Sequence, residues 1–374
     1  MTRDAARFAT TTSSGRAAVR VDGVDAARGL ALIGMFVAHV APAAASADLA
    51  SLLEIADERP RLLFALTAGM GLAFISGGTE PISDDRAELR RQIAIRAVIL
   101  IALGLLIAVT LHPLVYIILD LYGLAFLVML PLLFMPPRAA LGVGIALLAV
   151  TPGLAELASE TDPVVELQSG PLGIVADWVV SGAYPVVVWV PVMLIGLALA
   201  RFGLTSPRVV GIAALAGTMT AAVLLPIVAL MPGGNAGASA DDADRWTSAL
   251  RTSLEALANV GVGVVVVAGM MLLTAFVRPR VRRVAGAVLS PITAMGSMPL
   301  SVYTLHLVVI AASVRVEDGV PTDDSVELLL GLIVGSMLFA WLWRRYLGRG
   351  PLERMLRWAS GRSRADASHV PTPE

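Results

Sequence analysis

His39, Asp120, Asp25, Arg28 and Arg96 are the residues whose types and spacing point to chemistry. Eleven residues separate Arg28 from His39. In a helix that is about three turns, or ~16 Å, on nearly one face. An anion held at Arg28 beside Asp25 therefore projects a chain toward His39, whose neutral imidazole can take a proton near neutral pH. Asp120, in YIILDLYGLAFLVML, is an acid among apolar residues. Its ionised form needs a partner, from Tyr116 one turn earlier, from His39 or from an Arg, and a carboxylate that orients a His is a familiar catalytic arrangement. Arg96 can help Arg28 neutralise phosphates or can snorkel to the interface. His306 and Tyr303, in SVYTLHLVVI, either line the same cavity or hydrogen-bond across helices. The same alternatives stay open for His39 and Asp120, which as packing residues would join two helices. His112 reads as a solvated loop residue and His369 as part of a tail. The four His lack the spacing of a metal site, so no metal is expected.

The elements that must hold these groups are membrane helices. The chain of 374 residues is 57% hydrophobic and 15% charged, with a mean hydropathy of +0.79. That apolar excess must face lipid. Crossing ~30 Å of hydrocarbon takes ~20 apolar residues, and such runs recur near 28–47, 60–78, 92–111, 114–135, 139–157, 184–202, 208–231, 254–277, 294–314 and 326–346. The reading is an all-α, polytopic helical bundle of about ten transmembrane helices. The stretch 171–183 is too short to span and reads as re-entrant or interfacial. Residues 28–47 end in APAAASA, as a signal peptide with an Ala-x-Ala cleavage site does, yet Asp25, Arg28 and His39 keep the segment in the working protein.

Charge sets the orientation. Arg3, Arg7, Arg16 and Arg20, then the clusters at 86–91, 138, 201–208, 278–283 and 344–349, fall on one side of ten spans, while acidic loops around 48–58, 156–166, 241–244 and 317–324 fall on the other. Positive loops stay inside, so both termini are expected in the cytoplasm and the protein in the cell inner (plasma) membrane. Residues 1–21 and 359–374 read as disordered tails around a transmembrane domain over 22–358.

Composition also excludes. A net charge of −1 with scattered arginines gives no nucleic-acid face. The absence of Cys removes disulfides and a Cys nucleophile, and the absence of Lys removes Schiff-base chemistry and an acyl-Lys intermediate.

The segment Asp25-Ala-Ala-Arg28-Gly29-Leu-Ala-Leu-Ile-Gly34 resembles the D-x-x-R-G-L-A-L-x-G opening of a superfamily of transmembrane acyltransferases, the YeiB-like bacterial membrane proteins and heparan-α-glucosaminide N-acetyltransferase. RLLFALTAGMGLAF at 61–74, LDLYGL at 119–124, YPVVVWVPVMLIGLALARFGL at 184–204, GSMPLSVYTLHL and GRGPLERMLRW are similar to further family motifs, in the same order. The resemblance covers roughly residues 22–358. It implies transfer of an acyl group, often acetyl, from acetyl-CoA or another acyl-CoA at the cytoplasmic side to a hydroxyl or amino group of a sugar, glycolipid or other envelope acceptor. Arg28, Asp25 and Arg96 would then bind the CoA, His39 would act as general base or transient acyl carrier, Asp120 would orient it, and Tyr122, Tyr303 and His306 would line the substrate. Many bacterial members have Asn at the position of His39, so this His is not carried over from the family. Expected partners are acyl-CoA, the acceptor and membrane lipids, with a homodimer through small-residue helix faces as a further possibility. A proton-coupled transporter or flippase of a lipid or small metabolite is the alternative, since it would use the same intramembrane His and Asp as a relay.

Overall fold

A computed structural model describes residues 21–42, 58–171, 173–182, 185–232, 242–317 and 319–361. Both expected tails lie outside the described residues, apart from Val21 at the first boundary and 359–361 at the second, as do the acidic positions 48, 54, 57, 241 and 318.

Helices dominate: α1 Asp22–Val40, α2 Glu58–Ile75, α3 Arg86–Leu111, α4 Leu119–Leu132, α5 Pro137–Leu148, α6 Thr151–Ser159, α7 Asp162–Ser169 and α8 Gly173–Ala176, which runs into a π turn over Asp177–Ser181. They continue as α9 Val186–Phe202, α10 Pro207–Leu230, α11 Asp242–Met271 with a π turn Leu272–Phe276, α12 Pro279–Ser297, α13 Pro299–Ser313, α14 Val326–Tyr346 and α15 Pro351–Ala359. One small antiparallel hairpin, Arg315–Glu317 with Val320–Thr322, links α13 to α14.

Among the described residues, six helices are long and apolar enough to cross a membrane, or eight if each of two bent pairs counts as one. The outer helices present apolar side chains to the surroundings, among them Ile212 and Leu215 of α10 and Val334 of α14, each more than 60% exposed. Water would not tolerate such a surface, whereas lipid does. The centre is α2 with α9, both almost wholly buried. Gly69 and Gly196 make that contact close: a Cβ at Gly69 would collide with the Met193 carbonyl, and one at Gly196 with that of Leu66. In lipid, helices gain by such backbone approach because apolar surface alone gives no preference for protein over acyl chain.

Two expected spans are corrected. Residues 294–314 are not one rod: α12 and α13 meet at 82°, because Pro299 has no N–H to give and its ring blocks the preceding turn, while Met298 leaves the helical region at φ −136°, ψ 56°. The fourth span starts at Leu119 rather than 114, after His112 turns the chain left-handed at φ 43° and Pro113 follows. Consequently Asp120 stands in the first turn of a shorter helix, not a third of the way into a long one, and Tyr116 lies ahead of the helix, 73% exposed. The fifth expected span stands within Pro137–Ser159, where a turn at 149–150 joins α5 to α6 and the whole stretch remains long and apolar enough to cross.

Candidate active site

Small residues bring the elements together. Gly296 packs on the Asp25 carbonyl and Gly29 on that of Ile292, so α1 and α12 touch backbone to backbone. The bend at Met298 then sends α13 beside the far half of α1. His39 and His306, 267 positions apart, meet there, with Nδ1 of His39 3.2 Å from Nε2 of His306. The rings stack at 5.4 Å and 12°, and Phe36, one turn before His39, packs on His306 at 4.9 Å.

The chemistry of this contact follows from its far end. Nδ1 of His306 lies against the Tyr303 carbonyl. A carbonyl only accepts, so this nitrogen carries the proton and Nε2 of the neutral ring is an acceptor. His39 must then donate from Nδ1, which leaves the lone pair of His39 on Nε2. His306 is fully buried while His39 is half-buried. Tyr303, itself buried, accepts the Ile118 N–H on its hydroxyl at 3.1 Å and so pins the connection leading into α4.

Asp120 is held elsewhere. Its Oδ2 accepts from Trp178 Nε1 at 2.9 Å and its Oδ1 from the Leu121 N–H at 3.0 Å. The structure therefore joins His39 to His306 and Asp120 to Trp178. Trp178 sits in the π turn of the short 171–183 stretch, where sequence reading assigned it no role; a buried-side acid needing a donor was the available signal.

Arg28 is a clamp. It donates to Asp25 Oδ1 at 3.3 Å, to the Gly296 carbonyl at 3.2 Å and to the Thr67 carbonyl at 2.7 Å, tying α1, α2 and α12 together. Arg96 differs. It is half-buried in α3, and Gly123 of α4 packs on the Ala97 carbonyl next to it, so Tyr122 stands within electrostatic reach of both Arg96 and Arg28. Glu353, Arg357 and Arg349 also face Arg96, yet its guanidinium makes no hydrogen bond among the described residues. The α15 helix is set in place by Glu353, whose Oε1 accepts the Leu300 and Ser301 N–H groups at 2.8 and 3.1 Å. These are the orphan donors created by the break before α13. Burial, with Arg349 nearby, pushes the Arg357 guanidinium below its ordinary value.

Tyr122 packs on Phe64, Phe126 and Trp189, at 5.5, 4.7 and 6.1 Å. Trp189 in turn lines a cavity of about 290 Å³ on the side of the acidic loops, together with Glu58, Arg61, Glu156, Ser181 and Thr252. Among the described residues, no group of three His, Cys, Asp or Glu side chains could hold a metal ion.

Residues 20–227 match the family model described as heparan-alpha-glucosaminide N-acetyltransferase, catalytic, and residues 199–363 match the one described as protein of unknown function (DUF418). The first match covers more than half of the chain. The chain belongs to the transmembrane acyltransferase-like superfamily. A comparison with curated proteins gave no match. The superfamily suggests a membrane transferase of acetyltransferase type. The first matched region holds Arg28, His39, Arg96, Asp120 and Tyr122, and the second holds Tyr303, His306 and Glu353, so the histidine contact joins the two.

The superfamily motifs also acquire structural reasons. Arg201, of the Gly196-x-Ala198-x-x-Arg201-x-Gly203-Leu204 pattern, is 3% exposed and donates to Gly78 O, Ser76 Oγ and Leu133 O at 3.0, 2.9 and 2.7 Å. It locks the turn after α2 to the end of α4.

Proposed function

We propose that this protein moves an acyl group, acetyl in the first instance, from acyl-CoA at the arginine-rich side of the membrane to a hydroxyl or amino group of a sugar, glycolipid or other envelope acceptor on the opposite side. The observation that carries the reading is the chain His39–His306–Tyr303 carbonyl, because it orients a basic Nε2 at the end of a half-buried helix. The family membership supplies the reaction class.

The topology behind it is ten spans. This reading counts α2, which has three charged residues at its start, and the 14-residue α4 as spans beside the six long helices and two bent pairs. With the arginine clusters inside, both termini are cytoplasmic in the inner (plasma) membrane.

Arg96 is the cation available to a phosphate, with Arg349 and Arg357 beside it, while Arg28 and Asp25 hold the helices that frame this entrance. Arg28 to His39 spans ~16 Å of α1, so a long thiol-bearing arm entering past Tyr122 brings its thioester toward the histidines. The cavity at Trp189, lined by carboxylates, hydroxyls and one aromatic face, suits the hydroxyl-rich and apolar faces of a sugar ring.

In the reaction, His39 Nε2 takes the proton of the acceptor O–H or N–H as its oxygen or nitrogen attacks the thioester carbonyl. The resulting imidazolium still donates from Nδ1 to His306, so the hydrogen bond that orients the ring persists through the proton transfer. The tetrahedral intermediate collapses, the C–S bond breaks, and the thiolate leaves as CoA–SH with the proton returned from His39. His306 is a positioning residue in this scheme, and acyl-CoA and the acceptor are the two reactants. The test is transfer of label from radiolabelled acetyl-CoA into the lipid and polysaccharide fractions of membranes containing wild type or His39→Ala. Label that depends on the protein and is lost in His39→Ala supports the proposal; equal labelling by both refutes the role of His39, and none from wild type refutes the reaction.

A further inference from the structure

A second cavity, about 740 Å³, lies at the arginine-rich end between the start of α1, the end of α11, α12 and the end of α14. Arg282, Arg283, Arg344 and Arg345 line it, opposed by the single carboxylate of Asp22, which is 3.5 Å from Arg344. Ser290 and Thr293 add hydroxyl donors, while Thr274 gives its hydroxyl to the Met270 carbonyl at 2.7 Å, and Trp341 forms one wall with the Arg345 guanidinium 5.8 Å from its ring centre. None of the residues around Arg96 belongs to this lining, so the cavity is separate from the acyl-CoA entrance proposed above.

Two features define its ligand. Four arginines against one acid leave an uncompensated positive charge in a recess, which calls for a phosphate-like anion. The rim on the α14 side is apolar: Val334 and Leu338, two turns and one turn before Trp341 on its face of the helix, are both more than half exposed. A soluble anion has no use for such a rim, whereas the acyl chains of a lipid would cover it.

We propose that this cavity holds the phosphate headgroup of an anionic lipid of the adjoining leaflet, with the acyl chains laid against α14. Trp341 sits at the headgroup level, where membrane-interface aromatics concentrate. The bound lipid would brace α12, the helix whose Gly296 carbonyl receives Arg28 and whose end turns into the helix of His306.

The experiment is native mass spectrometry with thermal unfolding of the full-length protein in mild detergent, offered phosphatidylglycerol, phosphatidylcholine or soluble glycerol phosphate. Wild type should retain phosphatidylglycerol and unfold at higher temperature with it, but not with phosphatidylcholine. Arg283→Gln/Arg345→Gln should weaken retention roughly fivefold per arginine removed, and Arg283→Lys/Arg345→Lys, which keeps the charge and controls for folding, should retain most of it. Equal retention of the two lipids, or wild-type retention by the Gln pair, would overturn the proposal. Equal stabilisation by glycerol phosphate would overturn the lipid and leave a soluble-anion site.

Discussion

His39 Nδ1 lies 3.2 Å from Nε2 of His306, and the opposite nitrogen of His306 faces the carbonyl of Tyr303. This order assigns the protons along the chain and makes His306 the acceptor that holds His39 in one tautomer.

His306→Ala should therefore lower kcat by about a hundredfold, within the range of general-base contributions, while leaving the KM for acyl-CoA near wild type. His306→Gln keeps a side-chain acceptor for His39 and should recover part of that loss. Steady-state kinetics of the two variants check this; equal losses, or a loss confined to KM, would remove His306 from the positioning role.

Arg28 has side-chain exposure of 14% and three protein acceptors. Arg28→Ala should cost about 3 kcal/mol, as expected when one partner of a buried pair is removed. Gly296→Ala should act in the same direction, since its Cβ would meet the Asp25 carbonyl and part α1 from α12. Thermal unfolding in detergent would show both as lowered midpoints.

Trp178→Phe removes the donor to Asp120 Oδ2 but keeps an aromatic ring. A loss of about 1.5 kcal/mol is expected for a hydrogen bond to a charged group that is partly exposed. Acetyl-CoA binding should be unaffected, because Asp120 and Trp178 lie away from Arg96. Unfolding midpoints and a binding titration of the same preparation separate the two effects.

Burial holds the Asp323 carboxyl above its ordinary range, and Asp324 beside it adds to the shift. A carboxyl raised in the folded state binds its proton more tightly than in the unfolded chain. Its contribution is complete below the unfolded value and is lost as pH rises through the folded one. Asp323→Asn should thus match wild type near about pH 4 and gain on it toward neutrality. Unfolding midpoints across that interval check the sign.

The composition and the Arg28–His39 spacing were sufficient to read a helical membrane bundle and to place a histidine at the far end of its first helix. The partner of His39 was not readable, since the contact depends on the sharp turn between α12 and α13. A hydropathy profile runs through Met298–Pro299 without registering direction. Arg28 and Arg96 look alike in sequence, both sitting inside the start of an apolar helix. What separates them is tertiary: carbonyls of Thr67 and Gly296 reach Arg28, and none reaches Arg96 among the described residues. Asp120 was recognisable as an acid in need of a donor, but the donor came from a stretch too short to span. Motif resemblance found the family from residues such as Arg201 and Glu353, whose contacts belong to the scaffold.

The most direct measurement is calorimetric titration of acetyl-CoA into detergent-purified wild type, His39→Ala and Arg96→Gln. The account predicts binding to wild type and His39→Ala with similar affinity, and binding at least about tenfold weaker to Arg96→Gln. Absence of binding to wild type, or undiminished binding to Arg96→Gln, would contradict it.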